Sequence, residues 1–353
     1  MNKKNKITFA KAINEALFIS MKKDRKVICY GLGINDPKHI FDTTNGLKKY
    51  FGSSRVFDFP TSENAMTGLA IGAGLNNYKS VMVHQRFDFF LLAMDQLVNG
   101  AAKWHFMFGG KKSVPITIRL IVGRGWGQGP THSQSLHSWF AHIPGLKVVM
   151  PSNASDAKGL LISSIFDKNP VIFIEHRWLH NQLGYVYKDE FKTPLSKCKV
   201  VKSGADITII SMSYMTVEAI KVVNFLNTKK INCELIDLRT LSPIDYKTIF
   251  KSVKKTGRVI VIDTGHHNLS VAGEIIARIT MKLFKNLRSA PERIALPDIP
   301  VPSSYALTKN FYPDVYFIAK SIIKVLKLNT DINLLKDRQL YHDIPGPWFK
   351  GPF

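Results

Sequence analysis

Glu63 is the first residue whose type and position could support chemistry. It ends the run DFPTSE at residues 58–63, which follows a short apolar stretch and precedes apolar residues at helical spacing. Open α/β sheets place their ligands at such strand-to-helix junctions. The run equally fits an ordinary helix start, in which Ser62 caps the helix and Glu63 is an acid in its first turn. Taken alone, the pattern favours this structural interpretation.

A glycine-rich segment at residues 123–129, GRGWGQG, is the second candidate. It matches neither GxGxxG nor GxxxxGK[ST], which favours a flexible loop facing a substrate over a nucleotide site. The segment leads into His132, which either exchanges protons with a substrate or is an ordinary surface histidine. His132, His137 and His142 are five residues apart, a spacing that does not align metal ligands on one helical face.

The elements that must position these residues follow a strand-helix alternation. Apolar strand patterns occur at residues 27–30, 56–59, 80–84, 115–121, 147–150 and 171–175. Helical patterns occur at residues 8–23, 63–74, 89–108 and 155–167. This alternation predicts an α/β fold with a doubly wound parallel sheet.

The chain is too long for one ordinary core, since it has 353 residues. A mixed polar stretch around Pro194 interrupts the alternation, which restarts and continues to residue 326. We therefore predict two doubly wound domains, residues 1–187 and 205–328, joined by a linker at 188–204. Residues 329–353 are rich in proline, glycine and aromatics and predict an extended C-terminal arm, either docked or loosely packed.

Charge, hydropathy and cysteine content narrow the class of protein. The net charge is +23, but the lysines stand singly or in pairs. This pattern favours a solvated surface as the explanation of the charge, then an acidic protein partner, and nucleic acid least. No apolar run approaches the roughly 18 to 20 residues that cross a membrane, and the basic N-terminus precedes no signal-peptide core. Three scattered cysteines without a CxxC motif predict a reduced, cytoplasmic location.

Several blocks, in order, resemble the beta subunit of the two-chain, thiamine-diphosphate-dependent 2-oxoacid dehydrogenases, of which the pyruvate and branched-chain enzymes are the best known. The blocks are RVFDFPTSE at 55–63, DQ at 95–96, AAK at 101–103, HSQ at 132–134, PGLKVV at 144–149, DAKGL at 156–160, DLRT at 237–240 and KTGR at 255–258. The resemblance extends over residues 7–326 and is more specific than any single motif.

The resemblance implies a pyrimidine-binding domain followed by a transketolase C-terminal domain. In this family thiamine diphosphate lies between two chains: its pyrimidine enters the beta subunit, and an alpha subunit with a GDG…N motif holds the diphosphate and its magnesium. This sequence has no GDG, so we expect half of a site in an alpha2beta2 heterotetramer. A lipoyl acyltransferase is a further expected partner, whereas nucleic acid and membrane are not expected.

The resemblance also assigns roles to residues. Glu63 matches the glutamate that hydrogen-bonds the pyrimidine ring nitrogen, a task suited to a poorly solvated carboxyl group that shares a proton. Phe89 matches the aromatic packed against the pyrimidine, and Gln85 lies where the family lines that pocket. His132 matches the histidine near the substrate carboxylate and the lipoyl entrance. Positions whose backbone holds a monovalent cation, such as potassium, in some members match Ile116, Ser164, Asp167 and Asn169.

Two features depart from the family pattern. Most members carry an acidic pair after the first strand, where this chain has Gly31-Leu32-Gly33, and we expect this change to remove an acid and loosen the turn. Arg124 and Trp126 are bulky for a loop beside a small 2-oxoacid. Both features predict a substrate other than pyruvate.

Two enzyme functions therefore stay open, together with one function of another class. The first is decarboxylation of a 2-oxoacid with transfer of the acyl unit to lipoamide or another acceptor. The alternative is a split transketolase-type ketol or acyl transferase in sugar or specialised-metabolite biosynthesis. The function of another class is a non-catalytic structural partner or a nucleic-acid-binding relative. Retention of Glu63, Phe89 and His132 disfavours the former, and the scattered lysines disfavour the latter.

Overall fold

A computed structural model describes residues 4–336 and 342–352, which contacts divide into two units. The first unit comprises residues 4–123, 139–195 and 347–352, and the second comprises 124–138, 196–336 and 342–346. Nothing in the sequence signals that the glycine-rich loop groups with the second unit. In the described residues, no helix is long and apolar enough to cross a membrane.

In chain order, the elements up to residue 195 are β1 (Lys4–Thr8), α1 (Phe9–Lys23), β2 (Val27–Gly31), α2 (Leu47–Phe51), β3 (Val56–Asp58), α3 (Glu63–Leu75), β4 (Lys79–His84), α4 (Ala102–Met107), β5 (Ile116–Val122), α5 (His137–His142), β6 (Lys147–Val149), α6 (Ala154–Ile165), β7 (Val171–His176) and β8 (Leu183–Tyr187). Six strands of the first unit run parallel in the order β6-β7-β5-β4-β2-β3. A separate antiparallel pair joins β1 to β8.

The elements after residue 195 are β9 (Lys199–Lys202), β10 (Ile207–Ser211), α7 (Ser213–Thr228), β11 (Cys233–Asp237), β12 (Thr240–Ser242), α8 (Tyr246–Thr256), β13 (Val259–His266), α9 (Val271–Leu283), β14 (Glu292–Leu296), α10 (Tyr305–Phe311) and α11 (Val315–Leu326). The second sheet has the order β14-β13-β10-β11-β9. Its strands are parallel except β9, which pairs antiparallel with β11.

The predicted α/β class with parallel sheets is confirmed in both units. Central strands such as β2, β5 and β10 are buried along their whole length, as expected where helices cover both faces of a parallel sheet. Helix starts follow local capping chemistry: the Thr8 hydroxyl accepts a hydrogen bond from the Lys11 amide at 3.1 Å, and Ser270 caps α9 in the same way.

Two segments differ from the sequence-based expectation. The predicted helix at 89–108 is a 3₁₀ helix (Asp88–Ala93), a π-helix (Gln96–Ala101) and then α4. Gly100 lies in the π-helix, where an added Cβ would be 2.9 Å from the Ile71 side chain of α3, and glycine disfavours a regular α-helix. The stretch expected to be a linker contributes β9 to the second sheet, because its backbone pairs with β11.

The end of the C-terminal arm is docked. Residues 347–352 belong to the first unit, where the Arg177 guanidinium lies over the rings of Phe41, at 3.8 Å, and Phe349, at 4.7 Å. The Asn181 amide nitrogen donates to the Gly351 carbonyl oxygen at 3.0 Å. Aromatic burial and backbone hydrogen bonds together hold this segment in place.

Candidate active site

Glu63 begins α3, at the carboxyl edge of the first sheet. Ser62 occupies the N-cap position, but its side chain does not cap the helix, which corrects the expectation. The Ser62 hydroxyl instead donates to the Asn64 side-chain oxygen at 2.8 Å, and that oxygen also accepts from the Ala65 amide. The ordinary helix-start explanation of this run therefore loses its capping interaction.

The Glu63 side chain is buried, with 4% of its surface exposed. Across residues 4–336 and 342–352, its carboxylate makes no hydrogen bond or ion pair; only its backbone oxygen is engaged, by the Thr67 hydroxyl at 2.8 Å. A buried carboxylate without a partner is costly. A ligand that brings a hydrogen-bond donor to this position would offset that cost.

Gln85 and Phe89 lie at the same edge of the first sheet as Glu63. Gln85 follows β4 directly, and Phe89 lies in the 3₁₀ helix that packs against α3. The Phe89 side chain keeps 42% of its surface exposed. The structure thus groups three of the four residues that the sequence singled out for the pyrimidine pocket and proton transfer.

Asp58 is a structural residue of this edge that sequence reasoning did not single out. Its two carboxylate oxygens accept from the amides of Ile34, at 2.6 Å, and Asn35, at 3.1 Å. The Phe59 amide donates to the Gly31 carbonyl oxygen at 2.9 Å. These bonds hold the loop after β2 against the segment that leads to Glu63.

Close packing requires glycine at Gly31 and a positive φ favours it at Gly33, so the turn is tight rather than loose as the sequence suggested. An added Cβ on Gly31 would lie 2.2 Å from the Val83 carbonyl oxygen. Gly33 has φ +83°, and its Cβ would lie 2.1 Å from the Gln85 amide nitrogen. That nitrogen donates to the Asp36 carboxylate at 3.2 Å, so an acid does reach this pocket residue, from three positions further along the loop.

Gly31→Ala is expected to destabilise the chain by about 1–3 kcal/mol, because the added methyl group meets the backbone of β4 and the strand must shift. Gly68→Ala in α3 is the matched control, since its Cβ would meet nothing within 4 Å and alanine favours the helix. Urea denaturation of both variants measures the difference. Equal midpoints would contradict the packing argument.

His132 lies in the second unit, three residues after the glycine-rich segment. Its side chain is half-buried, and its Nδ1 is 3.0 Å from the Thr131 hydroxyl. The backbone amide of His132 is 3.5 Å from the Gly129 carbonyl oxygen, so the histidine follows a tight turn. This placement leaves the imidazole accessible for contact with a ligand.

A buried polar cluster anchors the chain just after His132. His137 Nε2 lies 2.8 Å from an Asp263 carboxylate oxygen, and His137 Nδ1 is 3.1 Å from the Ser135 hydroxyl. Burial works to raise the pKa of Asp263, but His137 and two backbone amides lower it below its usual value. All three side chains are almost fully buried, so the cluster is structural; its members are too far apart in sequence for spacing to reveal it.

Arg124 is buried and does not act as a bulky group facing a substrate. Its guanidinium lies 4.0 Å from the centre of the Tyr312 ring and 5.6 Å from that of Tyr214. Such stacking is typical of a structural arginine. The prediction of a substrate other than pyruvate therefore loses this residue as support.

His84, at the end of β4, is a buried histidine that the sequence did not single out. Burial lowers the pKa of His84 to about 3, so its imidazole is neutral near pH 7. Among the described residues, neither ring nitrogen has a hydrogen-bond partner, and the ring packs edge-on against Phe90. His84 is thus a neutral imidazole enclosed in the core against Phe90, one residue before Gln85 in the chain.

The residues expected to hold a monovalent cation lie at the opposite edge of the first sheet. Ile116 begins β5, and β5 pairs with β7 from Thr117 and Val171 onward. The other three, at the end of α6 and in the turn before β7, are Ser164, Asp167 and Asn169. In the described parts of the chain, no group of three or more His, Cys, Asp or Glu side chains forms a metal site.

Two family models match the chain in this order. The transketolase pyrimidine-binding domain matches residues 5–182, and the transketolase C-terminal domain matches residues 196–318. The fold and the edge occupied by Glu63 therefore define a two-domain protein of the transketolase type.

Relatives narrow the family further. The pyruvate dehydrogenase E1 component subunit beta of Rickettsia bellii is 37% identical over 319 residues, which are 90% of this chain and 98% of that protein. The corresponding Bacillus subtilis subunit is 38% identical, over 85% of this chain and 93% of that protein. The acetoin:2,6-dichlorophenolindophenol oxidoreductase subunit beta of Cupriavidus necator is 37% identical, over 91% and 98%. The chain belongs to the beta-subunit family of the thiamine-diphosphate-dependent 2-oxoacid dehydrogenases.

A solved structure supports the fold alone. A split-gene transketolase, described as an inactive beta4 tetramer, has a TM-score of 0.70 and 17% sequence identity. The match covers 92% of this chain and 99% of the transketolase chain. The architecture is thus shared well beyond the range of recognisable sequence identity.

Proposed function

We propose that this chain supplies the pyrimidine-binding half of a thiamine diphosphate site in a two-chain enzyme. The enzyme decarboxylates a small 2-oxoacid and passes the acyl unit to lipoamide or another acceptor. One observation carries the proposal: the Glu63 side chain is buried and its carboxylate has no partner among the described residues, at the sheet edge that also presents Gln85 and Phe89.

The residues of this edge fit the cofactor's pyrimidine. Glu63 would hold and exchange a proton at a ring nitrogen, Phe89 would pack against the ring, and Gln85 would line the pocket. When bound, thiamine diphosphate supplies the electron sink that breaking a bond beside a carbonyl group requires. His132 would orient the substrate carboxylate and donate a proton near it.

In this proposal, a partner subunit binds the diphosphate and its magnesium. An alpha subunit with the GDG…N motif would bind both, and two chains of each kind would assemble as alpha2beta2. Backbone oxygens of Ile116, Ser164, Asp167 and Asn169 would hold potassium as a structural cation. The Asn169 side-chain oxygen is buried without a hydrogen-bond partner in the described residues, which is compatible with a bound cation there.

A small 2-oxoacid fits the relatives that are named for pyruvate. A further relative is named for acetoin, a hydroxyketone without a carboxyl group. The split transketolase-type alternative is not favoured, because its named neighbour is similar in fold alone. Trp126 and the altered turn at Gly31 and Gly33 still distinguish this chain, and they support a 2-oxoacid other than pyruvate.

Cofactor titration tests the half-site. The chain alone is expected to bind thiamine diphosphate and magnesium weakly, because it lacks the diphosphate ligands. Co-expression with the alpha subunit should give an alpha2beta2 complex that binds the cofactor at least about a hundredfold more tightly, by calorimetry and sedimentation. Tight binding to the chain alone would refute the half-site.

A substrate panel then tests the reaction. Carbon dioxide release is measured with the complex, a lipoylated acceptor and 2-oxoacids of increasing size. We expect release from at least one 2-oxoacid, with pyruvate not the best. Ketol transfer between sugar phosphates without decarboxylation would favour the transferase instead.

A further inference from the structure

The segment at residues 342–346 lies beyond the family match, which ends at residue 318, yet it is built into the second unit. His342 and Asp343 are buried, with 9% and 5% of their surfaces exposed. The Asp343 carbonyl oxygen accepts from the Trp126 amide at 3.0 Å, and the His342 carbonyl oxygen accepts from Arg124 at 3.4 Å. Two successive backbone groups of the arm therefore bind the glycine-rich loop.

The loop is shaped to receive the arm. Gly125 has φ +80°, and an added Cβ would lie 1.7 Å from the Asp343 carbonyl oxygen, so the backbones meet at a distance that only glycine permits. On another part of the loop, a Cβ on Gly129 would lie 2.9 Å from the Ser303 hydroxyl. The loop is thus in close contact with two separate segments of the second unit.

Both the arm and the loop are tied to the helix α10 region. The His342 ring packs on Tyr305 at 4.2 Å, and its Nε2 is 2.9 Å from the Tyr305 carbonyl oxygen. Arg124 stacks on Tyr312, one residue after the end of α10. The arm therefore contacts the first residue of α10, and the loop contacts the residue that follows its end.

His132 lies between this contact and the buried His137–Asp263 pair, so the short segment that carries it is anchored at each end. We propose that residues 342 and 343 are positioning residues, which fix the glycine-rich loop and so set the approach of His132 to the substrate. The inference rests on the proposed function of His132, but its structural half can be measured without any activity.

Two truncated chains, each in the full assembly, test the positioning role of residues 342 and 343. A chain that ends at Lys336 keeps the buried Leu335 but loses the whole contact. A chain that ends at Gly346 keeps residues 342 and 343 and loses only the segment docked on Arg177. Each is co-assembled with the alpha subunit and compared with the full chain by hydrogen exchange of the loop peptide, cofactor affinity, kcat and KM.

The chain that ends at Lys336 is expected to exchange the Trp126 amide about tenfold faster or more, since its acceptor is gone. Its kcat should fall by a similar factor or more with cofactor affinity preserved, because Glu63 is untouched. The chain that ends at Gly346 should match the full chain. Unchanged loop exchange in the shorter chain, equal effects of both truncations, or a raised kcat would each overturn the inference.

A pair of point variants separates positioning from folding. Gly125→Ala in the full chain forces the Asp343 backbone away, whereas Gly127→Ala has similar backbone strain, at φ +65°, and meets only the Ser303 oxygen at 3.5 Å. We expect faster exchange at residues 342–346 and a lower kcat in the first variant alone. If both variants behave alike, strain in the loop explains the effect and the positioning role is refuted. If loop exchange responds as expected but Glu63→Gln stays active, the proposed function fails and the contact stands.

Discussion

Glu63→Gln is expected to reduce turnover of the assembled enzyme by a factor of about 10² to 10⁴ or more, the range of general acid-base catalysis. The amide keeps the size of the side chain but cannot accept and return a proton at a ring nitrogen. Folding should be unaffected or slightly improved, because the variant removes the charge of a buried side chain that has no partner within residues 4–336 and 342–352. The measurement is kcat with saturating cofactor, beside sedimentation of the complex.

Glu274→Gln is the matched control for this variant. Glu274 lies in α9 with 54% of its side chain exposed and pairs with Arg278 on the same helix. Its turnover and assembly should equal those of the unaltered chain. Near-normal activity of Glu63→Gln would refute the role of Glu63, and loss of the complex would mean that Glu63 serves assembly instead.

Glu175→Gln is expected to lower the free energy of unfolding by roughly 3–5 kcal/mol, the cost of leaving a buried charge without its partner. Glu175 accepts two hydrogen bonds from Arg119, at 2.6 and 3.0 Å, and both side chains are fully buried. Urea denaturation at pH 7 measures the change in the free energy of unfolding. The same Glu274→Gln control should change stability by less than about 1 kcal/mol, since exposed pairs contribute little. Similar shifts in the two variants would contradict this account of the pair.

Acid should destabilise the first unit in two stages. Burial lowers the pKa of His180 to about 4, although its bond to Glu175 works in the other direction, and burial lowers that of His84 to about 3. Both histidines are neutral when folded and take up protons more readily when unfolded, so stability is lost as pH falls below 6.5.

As pH falls, the Glu175 carboxylate takes up its proton after the histidines. Burial works to raise the pKa of Glu175, but Arg119 and His180 lower it to about 2, so its contribution is lost only as pH falls from 4.5 towards that value. Urea midpoints measured between pH 7 and pH 4 test the first stage. A constant midpoint over that range would show that the histidines do not fold in neutral form.

The sequence by itself determined the local elements and the family. Strands such as β4, Lys79–His84, and helices such as α1, Phe9–Lys23, begin and end within one residue of the predicted bounds, because periodicity and capping depend on neighbouring residues. It also placed Glu63 at a strand-to-helix junction. Ordered blocks then identified the family, which no single motif could do.

The tertiary structure decided the contacts that make the site. Asp36 reaches Gln85, His137 reaches Asp263, and residues 342 and 343 reach the glycine-rich loop across gaps of 49, 126 and more than 200 residues. It also showed that the approach of β4 requires Gly31 and that a positive φ favours Gly33, where the sequence had suggested a loose turn. The physical reason is that the order of strands in a sheet, and the arm that packs on a loop, bring together residues whose separation along the chain has no periodicity.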